Sequence, residues 1–93
     1  MAQFNKKYPG KNAEEIFAKV HEMMERIAQK LSLAYKSDPI KKAGAVSKLG
    51  VNGKYQVKEG EVSIDLHFPM LVPGSMKKKV EEDIQRKLDG LFS

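Results

Sequence analysis

The sequence predicts one small α+β domain in which two helices cover the apolar face of an antiparallel sheet. Three observations predict this class: a helical apolar pattern in the first third, regular alternation in the middle, and a second amphipathic helix at the end. The expected order is β-α-β-β-β-α, with a sheet of about four strands. The 93 residues fit a single domain, residues 1–93, because domains usually run from about 50 to 250 residues.

The first third of the chain predicts a short edge strand followed by a long helix. Residues 2–8 alternate loosely and end at a Pro-Gly turn. Asn12 is a favourable N-cap, and two glutamates follow in the first turn, where the helix dipole favours anions. We expect this helix over about residues 12–33, ended by the Ser37-Asp38-Pro39 breaker. Its buried face repeats with helical spacing: Ala13, Ile16, Phe17, Val20, Met24, Ile27, Ala28 and Leu31.

Residues 40–58 are rich in strand-forming residues but allow two different turns. Asn52-Gly53 is the strongest two-residue hairpin signal, because both residue types tolerate positive φ. Gly50 could instead mark a turn or a bulge, which would make residues 51–57 one strand. The sequence leaves both registers open.

A clear hairpin follows, with its turn at Glu59-Gly60. Around this turn apolar and polar residues alternate, and the apolar positions are Tyr55, Val57, Val62, Ile64, Leu66 and Phe68. This alternation is typical of an antiparallel sheet with one buried face and one face in water. After an apolar bend at residues 69–73, Ser75 is expected to cap the second helix. The buried stripe of that helix contains Met76, Val80, Ile84, Leu88 and Leu91 or Phe92.

The composition argues against several classes of protein. No apolar run approaches the roughly 20 residues of a transmembrane segment, and the N-terminus lacks the apolar stretch of a signal peptide. With no cysteine, the chain has no disulfide framework and no thiolate metal site. A reducing, cytoplasmic location is therefore the default expectation.

The net charge of +5 favours acidic partners in a general way. Most lysines are scattered along the chain, and only Lys77, Lys78 and Lys79 form a tight run. No strand carries the aromatic platform on which single-stranded nucleic acid would stack. The charge therefore fits ordinary solubility better than a nucleic-acid footprint.

The bend and the start of the second helix contain the candidate binding residues. Met70, Leu71 and Val72 lie in the bend, close in sequence to Met76 and to the lysine run. The apolar residues either close the end of the thin core or form an exposed patch suited to a partner or a hydrophobic surface. The lysines either form a solvated face, balanced by acids four residues later, or hold an anion at the helix start.

The sequence contains no catalytic or metal-binding constellation. His21 and His67 are the only histidines, and both are expected at the surface. Ser63, Asp65 and His67 would point in parallel from one strand face, so they cannot converge as a triad. Two histidines with scattered carboxylates match no metal spacing, and the glycines match no phosphate loop. We therefore expect a protein that is not an enzyme and needs no cofactor.

The order of elements and several short motifs resemble a family of small bacterial proteins. The motifs are Gly50-Val51-Asn52-Gly53, the strand at residues 62–68, the apolar bend, and the acidic-basic helix segment at residues 80–89. They resemble the polyhydroxyalkanoic acid system proteins, also called polyhydroxyalkanoate granule-region proteins. The resemblance covers nearly the whole chain and brings no catalytic residues that could be carried over.

This resemblance implies a non-enzymatic accessory protein whose partner is a polyester granule surface or a granule protein. Leu71, Val72 and Met76 would supply apolar contact, and the lysine run would supply electrostatic attraction. One alternative is a carrier with an apolar-ligand cavity between the sheet and the C-terminal helix, lined by Val62, Ile64, Leu66, Ile84 and Leu88. A second alternative is a weak nucleic-acid binder. Open edge strands would also allow a homodimer.

Overall fold

A computed structural model describes residues 2–48, 50–69 and 72–92 of the chain. The elements are β1 (Ala2–Lys7), α1 (Ala13–Leu31), β2 (Ala34–Asp38), β3 (Ala43–Lys48), β4 (Val51–Lys58), β5 (Glu61–His67) and α2 (Gly74–Asp89). The α+β class and both helices are confirmed. The sheet has five strands rather than about four.

The additional strand comes from a hairpin formed by β2 and β3. Asp38 Oδ1 accepts hydrogen bonds from the backbone N–H groups of Ile40 and Lys41, at 3.0 and 3.1 Å. An aspartate whose side chain accepts hydrogen bonds from backbone N–H groups two or three residues later is typical of a turn. The Ser37-Asp38-Pro39 segment therefore ends a strand, and the prediction that it ends the first helix is wrong.

The first helix is capped as predicted but ends earlier. Asn12 Oδ1 accepts a hydrogen bond from the Glu15 N–H at 2.8 Å, which confirms Asn12 as the N-cap. At the other end Ser32 adopts the left-handed conformation, with φ of 56°. The Leu33 N–H then bonds back to the Ala28 carbonyl at 2.8 Å. The helix therefore ends at Leu31, and the chain is free to enter β2.

The strands lie in the order β1-β5-β4-β3-β2, and every neighbouring pair is antiparallel. β1 is an edge strand, as predicted from its sequence. Tyr55 on β4 lies between Gly44 of β3 and Ile64 of β5, and Ile64 lies opposite Phe4 of β1. These residues share the face that packs on the helices, and the alternate residues face water.

Of the two registers left open by the sequence, the structure adopts the one with a turn at Gly50. Gly50 has φ of +90°, and Val51–Lys58 is one unbroken strand. Gly53 is needed for packing rather than for a turn. A Cβ at this position would lie 2.9 Å from Leu66 Cδ2 and 3.1 Å from Val46 Cγ2, so a side chain would crowd both neighbours.

The second helix begins without a side-chain cap. Its N-cap is Pro73, whose carbonyl accepts from the N–H groups of Met76 and Lys77, both at 3.1 Å. The prediction that Ser75 caps this helix is wrong, because Ser75 already lies in the first turn. The Glu59-Gly60 turn between β4 and β5 is confirmed, with Gly60 at φ of +72°.

Both helices pack on the same face of the sheet, as predicted. α1 lies over β2 to β5, whereas α2 lies along β1. The largest fully buried side chains come from both helices and from the inner strand β5: Ile16, Val20, Met24, Val62, Ile64 and Leu88. Among the described residues neither helix covers the opposite face of the sheet. The strand residues on that face are mostly polar, and they alternate along each strand with the buried residues.

Tyr8, the residue that follows β1, links the end of this strand to the end of α2. The Tyr8 hydroxyl donates a hydrogen bond to the Leu88 carbonyl at 2.6 Å, and its ring contacts Phe92 edge-on at 5.1 Å between centroids. Nearby, Lys6 Nζ forms an ion pair with Asp89 at 3.0 Å. Burial of Tyr8, with a smaller contribution from the Asp89 charge, raises the pKa of the Tyr8 phenol to about 12.

We expect alkaline pH to lower the free energy of unfolding through Tyr8. The unfolded chain releases the phenolic proton near pH 10, whereas the folded chain keeps it to a pKa of about 12. Between these values the unfolded state binds fewer protons, so stability falls as pH rises, by up to roughly 3 kcal/mol. Tyr8→Phe should cost about 1 kcal/mol at neutral pH but show a shallower alkaline decline.

Urea unfolding of both proteins, followed by circular dichroism between neutral pH and about pH 11, measures this difference. Lysine titration is common to both proteins and cancels in the comparison. Parallel declines of the two unfolding free energies would contradict the assignment to Tyr8.

Candidate functional site

The candidate binding residues lie at one end of the sheet, where α1 ends and α2 begins. Lys48 Nζ donates to the Leu31 carbonyl at 3.1 Å, which brings the end of α1 beside the end of β3. An added Cβ at Gly50 would lie 3.6 Å from the Pro69 ring, so the bend after β5 reaches the same end. We call this the lysine-rich end: Leu31, Lys48, Val72, Met76, Lys77, Lys78 and Lys79.

The charge at the start of α2 is uncompensated among the described residues. The first turn has no acidic residue and no side-chain cap. The acids expected to balance the lysine run do not do so, and Asp83 instead pairs with Arg86 at 2.6 Å. No ion pair within residues 2–48, 50–69 and 72–92 involves Lys77, Lys78 or Lys79. The helix dipole adds further positive potential at this end.

Apolar side chains are exposed at the same end. Met76 is 57% exposed and Leu31 is 43% exposed, so the prediction that they belong to the buried faces of the two helices is wrong. Val72 is half-buried, and its N–H donates to the Pro69 carbonyl at 3.1 Å. Met70 and Leu71, which the sequence placed in the same patch, lie outside the described residues. The patch therefore rests on Leu31, Val72 and Met76.

Weak packing of α2 explains this exposure. Its fully buried residues are Ile84 and Leu88, both in its C-terminal half. At 1.5 Å per residue, the preceding residues 74–83 form roughly 15 Å of helix without a fully buried side chain. Two features therefore coincide at the start of α2: little contact with the core and a high local positive charge.

Sequence reasoning missed a polar chain that links α1 to the sheet. His21 Nε2 lies 3.1 Å from Glu25 Oε1, and His21 Nδ1 lies 2.8 Å from the Tyr35 hydroxyl. The Tyr35 hydroxyl lies 2.7 Å from the Tyr55 hydroxyl. With His21 neutral, one proton order satisfies every group: Tyr55 donates to Tyr35, Tyr35 to His21, and His21 to Glu25. We call this the His21–Tyr35–Tyr55 chain.

The chain forms because three elements place its members on one side of the sheet. His21 and Glu25 are one helical turn apart on α1. A Cβ at Gly44 would lie 2.7 Å from the Tyr55 hydroxyl, so only glycine lets that ring lie across β3. Burial raises the pKa values of Tyr55 and Tyr35, which keeps both phenols protonated.

The two histidines differ in their surroundings. His67 is exposed, as predicted, whereas the His21 side chain is only 34% exposed and is bonded at both ring nitrogens. A histidine four residues before a glutamate was the available signal. The Ser63 hydroxyl donates to Asn5 Oδ1 at 2.6 Å rather than toward a histidine.

The remaining site types are a metal centre, a membrane-spanning helix and a ligand cavity within the described part of the chain. No group of three His, Asp or Glu side chains there is arranged to hold a metal ion. Neither described helix combines the length and the apolar content that crossing a membrane requires. The five residues expected to line a carrier cavity are at most 4% exposed and belong to the shared core. The carrier hypothesis stays a prediction.

We expect Tyr35→Phe to lower the free energy of unfolding by about 1–3 kcal/mol, because it leaves His21 Nδ1 and the Tyr55 hydroxyl without their partner. Tyr55→Phe should have a smaller effect, because it removes the donor at the end of the chain. In the double variant the loss should be smaller than the sum of the single losses, since both changes break the same bond. Urea unfolding of the four proteins measures this coupling, and additive losses would contradict it.

Comparison with known families gives the context of this architecture. The model of a family described as "putative polyhydroxyalkanoic acid system protein" matches residues 10–92, which includes both helices and four of the five strands. Comparisons with curated proteins and with solved structures found no match. The match covers far more than half of the chain and agrees with the motifs noted in the sequence. The chain belongs to the polyhydroxyalkanoic acid system family.

Proposed function

We propose that this protein is a non-enzymatic accessory protein that binds the surface of a polyester granule, or a protein on that surface, through its lysine-rich end. The observation that carries the proposal is the pairing of the exposed Met76 side chain with three uncompensated lysines at the start of α2. The family to which the chain belongs supplies the polyester context.

The two kinds of side chain suit the two chemical features of a polyester surface. A polyester is largely apolar, so covering Met76, Leu31 and Val72 would gain roughly 25 cal/mol for each Å² of apolar surface removed from water. Polyester chains also end in carboxylates, which lysines attract over about a Debye length, near 8 Å at physiological salt. The apolar contact would supply affinity, and the lysines would make it salt-dependent.

The proposal of a non-catalytic role is supported by the state of the polar groups. The most buried titratable cluster is the His21–Tyr35–Tyr55 chain, and its members satisfy one another. These hydrogen bonds join α1 to β2 and β4, so the cluster has a structural role within the fold. A cytoplasmic location is part of the same proposal, since the family name points to a storage-polymer system.

We expect Met76→Asp to weaken co-sedimentation with purified polyhydroxybutyrate granules by about tenfold or more. The substitution replaces an exposed apolar contact by a negative charge among lysines. It should leave the fold intact, because an aspartate in the first turn is favoured by the helix dipole. The measurement is the bound fraction at several protein and salt concentrations, with circular dichroism of each variant.

Ile40 provides a matched control. It is 91% exposed, and it lies in the β2–β3 turn at the opposite end of the sheet. Ile40→Asp makes the same kind of change and should leave granule binding unaltered. Absence of binding by the wild type, or equal loss in both variants, would overturn the proposal.

The lysines make a separate contribution. Changing Lys77, Lys78 and Lys79 together to Gln should weaken granule binding at low salt and flatten its salt dependence. The same three-residue change would also relieve like-charge repulsion in the first turn of α2, so the helix should not be destabilised. An unchanged salt dependence in this variant would show that the lysines take no part.

A further inference from the structure

A groove lies between the middle of α1 and the C-terminal end of α2, away from the lysine-rich end. Its volume is about 270 Å³, and its lining residues are Lys19, Glu22, Met23, Arg26, Lys87, Gly90 and Leu91. The α1 residues repeat at intervals of three and four, so they form one stripe of that helix. The groove exists because both helices contact the sheet more than each other.

The rim of the groove is positively charged. Glu22 is its one acidic residue, and Glu22 is already paired with Arg26 at 2.5 Å. Lys19 and Lys87 form no ion pair with any residue in the described ranges. The glutamate that precedes Lys19 by one turn, Glu15, instead lies 4.0 Å from Lys11. Two cations at the groove are therefore available to an anion.

The floor of the groove is apolar. Met23 is only 6% exposed and Leu91 is half-buried, and both border the core. A methionine can adjust its shape to an aliphatic chain, because its side chain is unbranched and flexible. An inorganic anion would leave this floor uncovered, and a neutral lipid would leave the two lysines without a counter-charge.

We propose that this groove binds a small single-chain anionic amphiphile, an aliphatic carboxylate. The chain would lie over Met23 and Leu91, and the carboxylate would be held by Lys19 and Lys87. A small pocket with an apolar floor and a few convergent polar groups is the usual form of such a site. This inference is independent of granule binding, which uses the opposite end of α2.

The test is a titration of the ¹⁵N-labelled full chain with sodium octanoate, followed by amide chemical shifts at constant ionic strength. Saturable shifts should cluster at residues 19–26 and 87–91. Acetate carries the charge without the chain, and methyl octanoate carries the chain without the charge. Each should bind at least about tenfold more weakly than octanoate, because each lacks one of the two contacts.

Two variants locate the site. Lys87→Gln should weaken octanoate binding by roughly threefold to tenfold, as expected for loss of an exposed charge contact. Lys78→Gln makes the same charge change on the same helix, outside the groove, and should leave the affinity unchanged. Lys87→Gln should also leave granule co-sedimentation unchanged, so failure of one proposal is distinguishable from failure of the other.

Several outcomes would overturn the inference. Acetate shifts equal to those of octanoate would reveal a simple ion effect, and equal binding of methyl octanoate would reveal apolar contact alone. Equal weakening by Lys78→Gln would show that only net charge matters. If the amide chemical shifts of the groove residues change with protein concentration in the absence of octanoate, a second copy of the chain occupies the groove.

Discussion

The burial of one face of the sheet is the constraint on which the rest of the structure depends. Val62, Ile64 and Leu66 alternate with polar residues along β5, and a shift of one residue would turn all three toward water. The register with β4 is therefore strongly specified, and it places Tyr55 opposite Ile64 and Gly53 opposite Leu66. Both helices must then pack on this face, because it is the one that needs cover.

The two helices meet this requirement unequally, and the difference creates the candidate surfaces. α1 has buried residues along most of its length, from Ala13 to Ala28. α2 is held mainly at its C-terminal half, by Ile84, by Leu88 and by the Tyr8 hydrogen bond. Its first turns consequently have little contact with the core, and a groove lies between its C-terminal end and α1. The thin core covers only part of α2, and the side chains that it leaves uncovered form the candidate surfaces at the two ends of this helix.

Polar chemistry inside the domain serves the fold. The His21–Tyr35–Tyr55 chain joins α1, β2 and β4, and it places two partly buried hydroxyl groups between the helix and the sheet. Such a network has a specific geometry, because each member must keep its donor and acceptor matched. The two surfaces proposed for binding lie elsewhere: Met76 with the lysine run at one end of α2, and lysines with apolar neighbours at the other.

Local patterns in the sequence determined the elements that depend on near neighbours. The Asn12 cap, the Glu59-Gly60 turn and most of the buried stripe of α1 follow from residues a few positions apart, so they were predictable, as was the α+β class. Tertiary structure alone decided features that depend on distant residues. Gly53 reads as a turn residue, yet it lies inside β4. A glycine is needed there because Val46 and Leu66 leave no room for a side chain. The hydrogen bonds between His21 and Tyr35 and between Tyr35 and Tyr55 exist only because the fold brings α1 beside β2 and β4. The exposure of Met76 follows from how little of α2 the core can cover.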